Sequence, residues 1–160
     1  MAPLNHRYLT DRAHQSSPAL PLNSGDRGEE ANGLSITVVF TTVPATLIAL
    51  QRGGELAQQL GARIRILVPH VVPYPLPVDR PQVDPEFKLR RFRTVSVDGA
   101  VETRIDVRLC RDPYDAVMQG LCRQSVVLIG GRERWWPTPE KHLAKTLSLA
   151  GHHVIFVPQR

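Results

Sequence analysis

The chain has 160 residues, of which 42% are hydrophobic and 22% charged, a balance that fits one globular domain rather than two. Its net charge of +5 comes from scattered Lys and Arg, apart from Lys88, Arg90, Arg91 and Arg93. So short a run is ordinarily a solvated face, and nucleic acid is not favoured as a partner.

The two cysteines, Cys110 and Cys122, lie in no CxxC and near no histidine at ligand spacing, which excludes a disulfide framework and predicts buried free thiols and no metal site. No apolar run approaches the roughly 20 residues that span a bilayer. Residues up to Gly33 hold no continuous apolar stretch for a signal peptide, so the expectation is a soluble, cytoplasmic protein with no membrane partner.

Met1 to Gly33 mixes Pro, Ser, Asn, Gly and charges without either period, and reads as a disordered tail preceding a domain over 34–160. Ser35 to Phe40 (SITVVF) is a β-branched run without alternation, the mark of a strand buried on both faces. Pro44 opens a helix whose Leu47, Leu50, Leu56, Leu60, Ala49 and Ala57 form the apolar stripe, and Gly61 stops it. Gly53 and Gly54 weaken that helix by about 1 kcal/mol each relative to Ala; close approach to the sheet is the expected compensation.

Arg63 to Val68 reads as a second strand. The prolines at 69, 73, 75, 77, 81 and 85 then make an extended connection that cannot be helical before Asp84. A basic helix or irregular segment follows to about Val95. Val101, Thr103, Ile105, Val107 and Leu109 alternate with Glu102, Arg104, Asp106, Arg108 and Cys110, which predicts a strand at or near a sheet edge with one wet face.

Asp112 and Pro113 form a cap-and-N1 pair for a helix through Ala116, Val117, Gly120 and Leu121. Val126 to Ile129 reads as a buried strand and Gly130 to Pro137 as a loop. Thr138 and Pro139 open a last helix with Leu143, Ala144, Leu147 and Ala150 inward and Gly151 closing it. Val154 to Val157 is the final strand. This alternation is the order of a doubly wound α/β domain on a parallel sheet, where ligands bind beyond the carboxyl ends of the strands.

The succession SITVVF, a Pro-started helix ending in GELAQQLGARIRILV, DPYDAV, VVLIGG and a helix leading into HHVIFV resembles the universal stress protein family. The resemblance runs from Leu34 to Pro158 and fails in the Pro-rich middle. It implies a five-stranded parallel sheet in the order 3-2-1-4-5 and, in the ATP-binding members, an acidic residue at the end of the first strand and a G-x2-G-x9-G-S/T loop after the fourth.

Thr41 stands at the acidic position and Val43 near a small hydroxyl position. Gly130 matches the first glycine, Glu133 falls at the second, and Glu140 and Lys141 stand where the Gly-Ser/Thr pair belongs. Phosphate cradling needs glycines that let amides converge on a helix N-terminus. Glu140 there gains roughly 0.3–1 kcal/mol from the helix dipole and repels phosphate.

Trp135 and Trp136 replace the slim residues of the usual loop, with packing or a subunit contact preferred over stacking. Residues left to meet a nucleotide or anion are Thr41, Thr42, Val43, Gly130, Gly131 and Arg132; Arg134 and Lys141 add positive charge. The resemblance further implies a homodimer through the last strand, over Val154, Ile155, Phe156 and Val157.

Other constellations carry little. His152 and His153 point to opposite faces and make a poor chelating pair, and His70 reads as a partly buried turn residue. There is no nucleophile elbow, P-loop or HExxH, and Asp112, Asp115 and Glu133 lack companions for acid–base work, so no catalytic residue is named.

The expectation is a non-enzymatic, dimeric universal stress protein-like module of stress-related or regulatory role, with a degenerate ATP-binding loop and no cofactor. The competing reading is a nucleotide-binding switch or slow ATPase using a variant Gly130-Gly131 loop, with ATP or AMP as ligand. A third is a scaffold that meets an acidic protein partner or nucleic acid through Lys88 to Arg93.

Overall fold

A computed structural model of the chain describes residues 33–78 and 101–159. The tail, the basic run Lys88 to Arg93 and the segment from Pro85 to Val95 lie outside the described residues. The elements are β1 (Ser35–Val39), α1 (Val43–Leu60), β2 (Arg63–Val71), β3 (Thr103–Cys110), α2 (Pro113–Gly120), β4 (Val126–Arg132), α3 (Pro139–Leu149) and β5 (His153–Gln159). The strands form one five-stranded sheet in the order β3-β2-β1-β4-β5, parallel at every pairing.

β1 is central, flanked by β2 and β4, and Ile36 to Val39 are all buried. Alternate residues feed two cores. Ile36, Val38, Ile64, Ile66 and Leu128 pack with Ala49, Leu50 and Ala57 of α1. On the opposite face Val39, Leu67, Val127 and Ile129 meet Val117 of α2 and Leu143 and Leu147 of α3. Each such fully buried side chain stabilises by roughly 1.5–3 kcal/mol, which makes the two-faced burial of β1 the anchor of the fold.

The helix ends follow local chemistry. Thr42 accepts from the Ala45 amide with Pro44 in the first turn, Asp112 from the Tyr114 amide at 2.7 Å, and Thr138 from the Lys141 amide. Gly61 (φ 62°) ends α1 and Gly151 (φ 91°) follows α3, both in the left-handed region where a Cβ is penalised. α2 ends at Gly120, leaving Leu121 as its cap rather than a helical residue.

Several expectations are corrected. Leu60 and Ala150 are exposed rather than inward, since each stands at a helix end beyond the last turn over the sheet. Gly53 is buried under α1 with Val38 beneath it, but Gly54 faces open space and has no packing compensation.

β2 continues through Pro69 to Val71 instead of stopping at Val68. The Leu67 carbonyl accepts from the Phe40 amide, so alternation along a parallel ladder turns the Pro69 nitrogen toward the β1 side, past the end of β1. There its missing N–H costs no ladder bond.

Among the described residues β3 is an edge strand paired with β2 alone; its polar face is wet at Glu102 and Arg104, as expected, but covered at Asp106 and Arg108. Arg65 of β2 pairs with Asp106, which also receives Arg108 at 3.3 Å, and all three side chains are only about a fifth exposed. Arg65 donates to the Gly120 carbonyl at 2.9 Å and Arg108 to that of Gln119 at 3.3 Å. α2 has no basic residue in its last turn, so guanidinium groups from the sheet supply the positive charge that a helix carboxyl end favours.

Candidate functional site

The strand order reverses between β1 and β4, and the carboxyl ends of those strands bring the candidate residues together. Thr41, Thr42 and Val43 follow β1; Gly130, Gly131 and Arg132 close β4 rather than forming a loop, paired with Val157, Pro158 and Gln159 of β5. The sequence suggests a loop at these glycines because their reason for being glycine is tertiary. A Cβ on Gly130 would stand 2.0 Å from the Ala45 carbonyl oxygen, and one on Gly131 would stand 2.8 Å from the Phe156 ring and 3.0 Å from Glu140 Cβ.

The hydroxyls around this junction are already engaged. Thr41 Oγ1 donates to the Gly130 carbonyl at 2.8 Å, the Thr41 amide donates to Oγ1 of the buried Thr46 at 3.2 Å, and Thr42 Oγ1 caps α1. Val43 packs against the α1-side core. Arg132 is exposed at the end of β4. The Thr41 bond links residues far apart in sequence, and nothing local in FTTVP signals it.

After Arg132 the chain passes through Glu133, Arg134, Trp135, Trp136 and Pro137, all exposed, before the Thr138 cap. Lys141 Nζ donates to the Arg134 carbonyl at 2.7 Å and ties this segment to the first turn of α3. Among the described residues the tryptophans have little cover: Trp135 is fully exposed and Trp136 mostly so. Glu140 stands in the first turn of α3, over Gly131.

No family model matches the chain, and no curated protein sequence matches it. Among solved structures, that of a universal stress protein from Archaeoglobus fulgidus is 14% identical, covers 77% of this chain and 92% of its own, and has a TM-score of 0.57. The fold is the universal stress protein fold. A universal stress protein family structure from Burkholderia pseudomallei is 18% identical over 78% of this chain and 96% of its own, with a TM-score of 0.47.

On this universal stress protein fold the remaining candidates scatter. Among the described residues β5 is an edge strand: Val154 and Phe156 pack toward α2 and α3, Val157 toward α1, and Ile155 is exposed. His70 lies within β2 opposite Leu109, not in a turn. His153 is exposed, whereas His152 keeps a buried Nδ1 without a hydrogen-bond partner. Among the described residues no three His, Cys, Asp or Glu side chains cluster as metal ligands.

Cys110 is buried, but Cys122 is exposed, which corrects the expectation of two buried thiols. Burial, then the nearby carboxylates of Asp112 and Asp115, push the Cys110 thiol above its ordinary range. Asp112 is occupied as a helix cap, and Asp115 and Glu133 are exposed.

Arg111 is a residue that sequence reading missed. It donates to the carbonyls of Val72 and Leu76 at 2.6 Å each and lies 4.0 Å over the Tyr74 ring, holding the turn after β2 to the end of β3. Its only sequence signal is a guanidinium after a strand and an aromatic within a Pro-rich connection. A shallow hollow lies at the other end of the sheet, between Cys122 to Gln124 and Ala150 to His152.

Proposed function

We propose that this chain is a non-enzymatic universal stress protein-like module, a homodimer through β5, that takes no ATP in the manner of the family's nucleotide-binding members and serves a stress-related or regulatory role in the cytoplasm. The observation that carries this reading is the Thr41 hydrogen bond to the Gly130 carbonyl. An ionised carboxylate accepts and cannot donate, so the contact is built around a donor where the resemblance would put an acidic acceptor.

The residues do not fit a triphosphate. The Gly130 and Gly131 backbones are strand backbone paired with β5, and their missing side chains make room for Ala45, Phe156 and Glu140 rather than for an anion. At the start of α3 the Lys141 amide is taken by Thr138 and Glu140 adds negative charge, which opposes phosphate at that helix end. The same facts argue against a switch or slow ATPase built on Gly130-Gly131.

Dimerisation is supported by the edge position of β5, which pairs with β4 on one side only among the described residues. Unpaired backbone groups on such an edge favour a second strand. None of the helices among the described residues is long and apolar enough to cross a membrane.

Calorimetric titration of the purified chain with MgATP, together with mass spectrometry of any co-purified nucleotide, tests the ligand reading. We expect no saturable heat and no nucleotide. A bound adenine nucleotide, or micromolar ATP affinity, overturns it.

A further inference from the structure

Four large apolar side chains at or near β5 are exposed, Ile155 on the α1 face of the sheet and Leu149 at the end of α3 on the opposite face. Trp135 is fully exposed, Trp136 is 76% exposed, Leu149 80% and Ile155 37%. They are strung along β5. Leu149 ends α3 below the amino end of the strand, Ile155 lies within it, and the tryptophans follow Arg132, whose partner Gln159 marks the carboxyl end.

A strand edge that joins its own copy about a two-fold axis runs antiparallel to it, and every contact occurs twice. An axis through Phe156, the middle residue of β5, sets His153 of one copy opposite Gln159 of the other. The end that carries the tryptophans in one copy then meets the end that carries Leu149 in the other. We propose that Trp135 and Trp136 of each copy dock on Leu149 of the second copy, at the carboxyl end of α3.

Area and charge both support this occupant. A stable interface buries about 1,200–2,000 Å² in total, and Ile155 alone on a bare strand edge contributes little of that. An aromatic side chain buries about 150–250 Å², so the four indoles of a dimer supply roughly half of what is needed. α3 has no basic residue in its last turn, so its carboxyl end carries partial negative charge that is not offset there. Arg132 and Arg134, exposed beside the tryptophans, arrive at that end from the second copy. The inference rests on the β5 dimer proposed above and adds the contact that brings it to size.

Trp135 and Trp136 are the only tryptophans of the chain, so intrinsic fluorescence reports on this contact directly. The full-length protein is followed by sedimentation velocity and by emission spectra over a dilution series. The mass is expected to double with concentration, with the emission moving to shorter wavelength in step.

Leu149→Lys changes an exposed residue to one that suits a helix carboxyl end, and circular dichroism verifies that it folds. It should raise the dimer Kd about tenfold or more, the effect of losing an interface anchor, and leave the tryptophans of any remaining dimer redder. Ile155→Arg, aimed at the strand pairing, should abolish the dimer.

A dimer lost in Ile155→Arg but indifferent to Leu149→Lys, with unchanged emission, overturns the docking of the tryptophans and leaves the β5 dimer standing. A monomer at every concentration removes both. A monomer whose emission shifts only with phosphatidylserine vesicles also overturns the inference, assigning the indoles to a lipid surface.

Discussion

Gly130→Ala is the substitution with the most direct structural consequence. A Cβ at that position would stand 2.0 Å from the Ala45 carbonyl oxygen and 2.5 Å from its carbonyl carbon, against a comfortable separation of about 3.5–4.0 Å between carbons. α1 must therefore withdraw from β4 by about 1 Å or more. Its first turn is fixed by the Thr42 cap, the Thr41–Gly130 bond and the Thr41–Thr46 bond.

Overpacking costs about 1–3 kcal/mol, occasionally more. Because the colliding atoms are helix backbone, the upper figure applies. About 3 kcal/mol is a large part of the roughly 5–15 kcal/mol that holds a domain folded. With a urea m-value of about 1–3 kcal/mol/M, the midpoint followed by far-UV circular dichroism should fall by about 1–3 M.

Gly54→Ala is the matched control: it faces open space in the same helix and should gain about 0.4–1 kcal/mol. Ala45→Gly should not rescue Gly130→Ala, because the clash is with the carbonyl of residue 45. A Gly130→Ala protein within about 0.5 kcal/mol of the parent, or one rescued by Ala45→Gly, would refute the reasoning.

Gly131→Ala meets the Phe156 ring instead of backbone, so Phe156→Leu should recover part of its cost; a double-mutant cycle should give a coupling of about 0.5–3 kcal/mol, and none contradicts the contact. Asp106→Ala leaves Arg65 and Arg108 half-buried without their shared carboxylate and should cost about 1.5–3 kcal/mol in urea unfolding. Cys122 should react with a thiol reagent at once and Cys110 only on unfolding, as mass spectrometry of the labelled protein would read. Because the Cys110 thiol is raised in the folded state while the unfolded thiol loses its proton near about pH 8.5, its contribution to stability is intact below that pH and is lost as pH rises from there through the higher folded value. Cys110→Ala should flatten that alkaline decline.

Signals that are local were legible. A β-branched run without alternation placed Ile36 to Val39 between two cores, Gly61 marked a helix stop, and Pro44, Asp112 and Thr138 marked helix starts. What escaped depends on partners distant in sequence. Pro69 stays in a strand only because β1 has ended beside it, Asp106 is covered because Arg65 reaches it from β2 and Arg108 joins it from its own strand, and Gly130 is a strand residue that resembles a loop residue until Ala45 is seen against it. At the candidate site the turn from β1 into α1 was legible, but neither the strand setting of Gly130 and Gly131 nor the Thr41 hydrogen bond was.

The seat of α1 on Gly130 also bears on how the chain is made. β1 needs β4 as its second neighbour and α1 rests on that strand, so this strand and helix wait for Val126–Arg132, made well after them, before their burial is complete. Pairings so distant in sequence are slow to form, and until then the apolar side of α1 is open to chaperones and to other nascent chains. A messenger truncated before β4 would yield a product with a naked central strand, and such a fragment is better suited to proteolysis than to function.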